Sequence, residues 1–147
     1  MRRFFVNDTL HEATDDQANL LDVLRRELAL RAIAKGCTHG DCGACRVLIE
    51  GEIVHSCQRT AGSVPELAKV VTYEHVAAEP QVIRALSIFN HERSTRCKLC
   101  VAALGVTASA LGQRRANGDD ATIDEVVGTA ACMCTGRGSW RRALAVV

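Results

Sequence analysis

The sequence predicts an α+β chain of two small units: a sheet with one packed helix over residues 1–75, then four short helices over 76–147. Two observations carry this prediction. Short apolar runs bounded by turn residues fill the first half, whereas apolar residues recur at helical spacing through the second. The chain also holds eight cysteines in 147 residues, four in each half. At this size an apolar core alone is marginal, and a bound metal centre helps to fix each fold.

Residues 3–6 (Arg3-Phe4-Phe5-Val6) and roughly 10–15 are expected to pair as a hairpin around Asn7-Asp8. Asn19 is a candidate cap for a helix whose apolar residues Leu20, Leu21, Val23, Leu24 and Leu28 line one side. A Gly-rich, Cys-rich loop follows from Gly36 to Cys45. Residues 46–49 read as a strand, Glu50-Gly51 as a tight turn and 52–55 as the returning strand. Val70, Val71 and Tyr73 suggest a closing strand. Beyond them, Pro80 opens a helix that places Val82, Ile83, Leu86 and Phe89 on one face. A second helix is expected from about Lys98 to Leu111, ending before the polar stretch Gln113–Asp120. Thr122 and Glu125 form a capping box for a third, with Ile123, Val126 and Val127 inward. The last carries Trp140, Ala143, Leu144 and Val147, with Trp140 expected to pack in the bundle or at a subunit contact.

Hydrophobic content of 48% with 24% charged residues is that of a soluble globular protein. Net charge is only +1, and the pairs Arg25-Arg26, Arg114-Arg115 and Arg141-Arg142 are spread along the chain on expected solvated faces. A nucleic-acid partner has no electrostatic footprint here. No apolar stretch reaches membrane-spanning length. The start, Met1-Arg2-Arg3-Phe4-Phe5-Val6, runs into Asn7-Asp8 without an export-signal pattern, so the expected compartment is the cytoplasm. Thiols stay reduced there, and a Cys-dense chain is then expected to bind metal rather than form disulfides.

Cys37-x4-Cys42-x2-Cys45 with Cys57 beyond it has the spacing of a plant-type [2Fe–2S] ferredoxin site. Three thiolates on one loop wrap an anionic cluster, and the 46–55 hairpin returns the fourth. Gly36, Gly40 and Gly43 let the backbone bend and aim N–H groups at sulfur. Structural zinc draws on two close Cys or His pairs, and a Rieske centre needs two histidine ligands, so neither pattern fits. His39 is expected to be a solvated loop residue.

The second set is Cys97-Lys98-Leu99-Cys100 and Cys132-Met133-Cys134, each pair just before or at the start of an expected helix, where N–H groups and the helix dipole favour an anion. Alone, this pattern also fits zinc or redox thiols. Its place behind a ferredoxin-like unit favours a second cluster, and the two quartets leave no cysteine over. Two oxidised clusters of charge −2 each would move the formal charge from +1 to about −3.

The motifs Gly36-Cys37, Gly40-Asp41-Cys42-Gly43-Ala44-Cys45, Gly51, Ser56-Cys57, Cys97/Cys100 and Cys132-Met133-Cys134-Thr135-Gly136 resemble the small iron–sulfur subunit of the molybdenum hydroxylase (xanthine oxidase-like) family. The resemblance spans nearly the whole chain. It implies an N-terminal β-grasp ferredoxin-like domain (1–75) and a C-terminal four-helix bundle (76–147). It also implies an electron route. Electrons would pass from a molybdopterin centre on a large partner to the cluster of Cys97, Cys100, Cys132 and Cys134. They would continue to the cluster of Cys37, Cys42, Cys45 and Cys57, then to FAD on a medium partner or to another acceptor. The implied assembly is a dimer of heterotrimers, and the implied chemistry is oxidative hydroxylation on another chain.

The sequence departs from the family pattern at Arg96, where a pterin-contacting glutamine is usual, at Lys98-Leu99 and at Met133. Arg96 is the candidate pterin contact, as a charged donor instead of an amide. No G-x-G-x-x-G or Walker A loop is present, so FAD, NAD and nucleotides are not expected on this chain. The competing readings are a free-standing two-cluster ferredoxin and a zinc-stabilised interaction module.

Overall fold

The computed structural model describes residues 1–92, 98–130 and 136–147. β1 (Arg3–Val6) turns at Asn7-Asp8 into β2 (Thr9–Glu12). Both turn residues have positive φ, 49° and 68°, a pair of values that matches the twist of a two-residue hairpin. The second hairpin repeats the device. β3 (Arg46–Ile49) turns through Glu50 and Gly51, at φ 51° and 83°, into β4 (Glu52–His55). β5 (Lys69–Val71) lies parallel to β1 and antiparallel to β3, which gives a mixed five-stranded sheet in the order β2-β1-β5-β3-β4.

Strand alternation sorts the sheet between two cores. Phe4, Val6, Val47 and Val70 face one side and pack with Leu20, Val23, Leu24 and Ile33. Leu48 points the other way, into the core of the helical half. Arg46, two residues before Leu48 on the same strand, shares its face.

The first helix is shorter and wider than its sequence suggests. Asn19 caps it as expected, its side chain accepting from the Leu21 N–H at 3.1 Å. α1 (Leu20–Asp22) then loosens into a π-helical turn over Val23–Glu27. The Leu28 N–H reaches back to the Val23 carbonyl at 3.2 Å.

Tyr73 does not extend the closing strand. It opens α2 (Tyr73–Val76), because the Asn7 side chain takes the Thr72 N–H at 2.9 Å and the Tyr73 ring turns against Gly105. α3 (Pro80–Glu92) begins at the expected proline and buries Val82, Ala85, Leu86 and Phe89. Ile83 is 55% exposed, contrary to expectation. The stripe that meets α4 and α6 is set by Val82 and its i+3, i+4 and i+7 partners, and Ile83 lies one step round the helix from it.

α4 (Val101–Ala116) begins later and ends later than predicted. Ten residues in a row, Ala102 to Leu111, are buried. The helix then continues through Gln113, Arg114 and Arg115, all good helix formers. It stops at Asn117 and Gly118, the latter at φ 80°. α5 (Ile123–Val127) carries the predicted Thr122–Glu125 capping box in full, with Ile123 only partly buried. α6 (Gly136–Leu144) buries Trp140, Ala143 and Leu144, and Val147 packs against them from beyond the helix. α4 also packs on β3 and β4, so the helical half closes over the face of the sheet that bears Arg46 and Leu48.

Candidate metal centre

The segment from Gly36 to Cys45 is irregular backbone held at several points. A Cβ on Gly36 would lie 3.0 Å from Cys42 Sγ, so that position must stay bare for the sulfur to turn in. Gly40 sits at φ 81° against the Gln58 side chain, and its carbonyl meets His55 Nδ1 at 2.8 Å. The Cys45 carbonyl accepts from Ser56 Oγ at 2.7 Å and from the Ser56 N–H at 3.2 Å. Cys57 lies in a single 3-10 turn, Ser56–Gln58, directly after β4. Its carbonyl accepts from Asn19 Nδ2 at 2.8 Å. The helix-capping asparagine thus also fixes the fourth cysteine.

These contacts bring Cys37, Cys42, Cys45 and Cys57 into mutual electrostatic reach. None of the four is in a disulfide; Cys42 and Cys45 are buried, and Cys37 and Cys57 are half-buried. Cys37 interacts most directly with Cys42, and Cys57 with Cys45. The Cys37 thiol is lowered to about 7, chiefly by the Cys42 backbone N–H. Burial pushes Cys42 up. It pushes Cys57 up further, to about 12, helped by its hydrogen bond to Cys45. The Ala44 N–H points at Cys42 Sγ at 3.4 Å.

Among the described residues, no three His, Cys, Asp or Glu side chains converge as they would on one metal ion. Paired thiols suit a dinuclear centre, in which each iron takes two cysteines and two bridging sulfides. With a loop that leaves space beside sulfur at Gly36 and a backbone donor already aimed at Cys42, the residues present fit a [2Fe–2S] cluster.

Of the second set, Cys100 is buried at the N-terminus of α4, which starts a few residues later than the spacing predicted. Cys97, Cys132, Cys134 and the candidate pterin contact Arg96 lie outside the described residues. α6 begins at Gly136, immediately after that segment. His39 is exposed, as expected for a loop residue. Trp140 is fully buried and packs in the helical core.

Sequence reasoning missed Arg46. It follows Cys45 directly and is 3% exposed, in a strand whose other members are apolar. Its side chain crosses to the helical half, donating to the Val126 and Val127 carbonyls, each at 2.6 Å, and to Thr107 Oγ1 at 3.1 Å. The guanidinium also lies 5.5 Å from the centre of the Trp140 ring. An arginine between a ligand and the apolar run Val47-Leu48-Ile49 was the signal available. His55 pins Gly40 through its ring nitrogen.

No helix among the described residues is long and apolar enough to cross a membrane. Residues 4–70 match the family model described as a 2Fe-2S iron-sulfur cluster binding domain. The nicotinate dehydrogenase small FeS subunit of Eubacterium barkeri is 31% identical over 123 residues, covering 84% of this chain and 78% of that protein. Among solved structures, quinoline 2-oxidoreductase from Pseudomonas putida 86 superposes with a TM-score of 0.74 at 26% identity, over 97% of this chain and 88% of that one. The aldehyde oxidoreductase of Desulfovibrio desulfuricans gives a TM-score of 0.78 at 26% identity over 97% of this chain, which spans only 16% of that longer protein. Thiol geometry, fold and relatives agree: the chain belongs to the small 2Fe-2S subunits of the molybdenum hydroxylase family.

Proposed function

We propose that this chain carries two [2Fe–2S] clusters and conducts electrons within a heteromeric molybdenum hydroxylase. The clusters would supply one-electron steps between a molybdopterin centre on a large partner and FAD, or another acceptor, on a medium partner. Cys37, Cys42, Cys45 and Cys57 hold the cluster on the FAD side; Cys97, Cys100, Cys132 and Cys134 hold the one on the molybdenum side. The observation that supports the first ligand set is the convergence of its thiols, with Cys57 within electrostatic reach of Cys45, Cys37 and Cys42. For the second, the buried position of Cys100 at the start of α4 is the support.

The chain divides, in this reading, into a β-grasp unit over 1–75 and a four-helix bundle over 76–147 built from α3, α4, α5 and α6. Substrate chemistry belongs to the large partner. Arg96 faces the pterin as a charged donor. The assembly is a dimer of heterotrimers in the cytoplasm.

The test is purification of the complex from its own organism, with iron, acid-labile sulfide and molybdenum analysis and EPR of the reduced protein. About four irons per chain, two distinct [2Fe–2S] signals and co-purifying molybdenum are expected. Markedly less iron would end the two-cluster reading. Two clusters without large partners would make the chain a free carrier. A structure of the complex with Arg96 remote from the pterin would remove that contact.

A further inference from the structure

Arg46 is a buried cation whose partners among the described residues are all neutral. It is 3% exposed, and among the described residues no carboxylate pairs with it. Two carbonyls, one hydroxyl and an aromatic face surround the guanidinium, and its buried Nε–H finds no acceptor among the described residues. That Nε lies against the cluster loop, 3.0 Å from where a Cβ on Gly43 would stand. Holding a cation in such a place is costly unless an anion lies close by. Burial draws its pKa down to about 10, and the adjacent Cys45 is the group that opposes this.

The anion that fits is the cluster itself. With four thiolates its charge is −2 when both irons are ferric. It becomes −3 when one electron reduces one iron to ferrous, and no bond breaks. A fixed positive charge held against the cluster loop at Gly43 favours the more negative state.

We infer that Arg46 is the internal counter-cation of the cluster on Cys37, Cys42, Cys45 and Cys57, held in place by the helical half so that it raises that cluster's reduction potential. This rests on the ligand assignment proposed above. Arg46 is a positioning residue; it binds no iron. The clamp comes from α4 and the end of α5 instead of the cluster's own loop, so the seating of the helical half becomes part of what sets the potential.

The experiment is an EPR-monitored redox titration of the full chain in its complex, for the wild type and three variants. Arg46→Gln removes the charge and should make reduction of the first cluster at least tenfold less favourable, about 59 mV for a one-electron couple. Arg46→Lys keeps the charge and should shift it clearly less. Thr107→Asp places a carboxylate where Arg46 Nη1 bonds and should lower the potential with Arg46 still present. Equal shifts in the Gln and Lys variants, or a loaded cluster whose potential moves in neither Arg46→Gln nor Thr107→Asp, would overturn the inference. If Arg46→Gln does not fold, the Thr107→Asp result alone decides it. A wild type without the first cluster defeats the ligand assignment instead, and this inference with it.

Discussion

Gly43 of the cluster loop lies directly against Ala130, so closely that a Cβ on Gly43 would come 2.9 Å from the Ala130 Cβ. The loop of the first cysteine set thus touches the backbone that leads towards Cys132. Gly43 also sits at φ 77°. Gly43→Ala therefore meets two penalties, a left-handed backbone costing about 1–2 kcal/mol and a clash with both Ala130 and Arg46. Gly51, at φ 83° with nothing within 4 Å, isolates the first penalty. Thermal unfolding should show Gly43→Ala the more destabilised of the two. Equal losses would mean that the loop and Ala130 are not in firm contact.

Separate removal of one cysteine from each set tests the two quartets. Cys57→Ser should abolish one EPR signal and lower iron from about four to about two atoms per chain, leaving the other signal intact. Cys100→Ser should do the reverse. Loss of all iron in both variants would show a single shared centre.

Much of this was legible before any coordinates. Turn pairs Asn7-Asp8 and Glu50-Gly51, the Asn19 cap and the Thr122–Glu125 box are local chemistry, and each stands where the sequence placed it. The four cysteines of the first set come near one another for the same reason, since three of them share one loop. What was not legible depends on packing between distant segments. Ile83 reads as core by hydrophobicity, yet the seam between α3 and its neighbours passes it by. Arg46 reads as a polar break in a strand. The placement of α5 over that strand turns the carbonyls of Val126 and Val127 towards Arg46, partners that lie eighty residues away and that no local pattern shows. The double use of Asn19, as cap and as anchor for Cys57, spans too many residues for a local motif to show.

The cluster-free chain should reveal the unequal thiols by alkylation. Cys37 is lowered to about 7, so its thiolate predominates above neutral pH. Cys57 is pushed up to about 12 and stays protonated through the same range. Iodoacetamide at pH 8, followed by peptide mass spectrometry, should label Cys37 well before Cys57. Lowering the pH through 7 should slow Cys37 steeply, because the reactive form is lost. Comparable rates at pH 8 would contradict the backbone N–H arrangement around Cys37.

Thr122→Ala tests whether a surface cap supports the buried clamp. Thr122 Oγ1 accepts from the Glu125 N–H at 3.2 Å, and Glu125 returns the favour to the Thr122 N–H at 2.6 Å. Loss of the hydroxyl at such a cap costs about 1 kcal/mol. For a chain of this size that is a fall of about 2–4 °C in Tm. α5 has only five residues, Ile123–Val127, and its last two supply the carbonyls that hold Arg46. Fraying from the capped end therefore reaches the clamp within two turns. Hydrogen exchange should show faster exchange at Val126 and Val127 in the variant, with β1 and β2 unchanged. Faster exchange spread evenly over the sheet would mean that the cap stabilises the whole chain and has no special hold on Arg46.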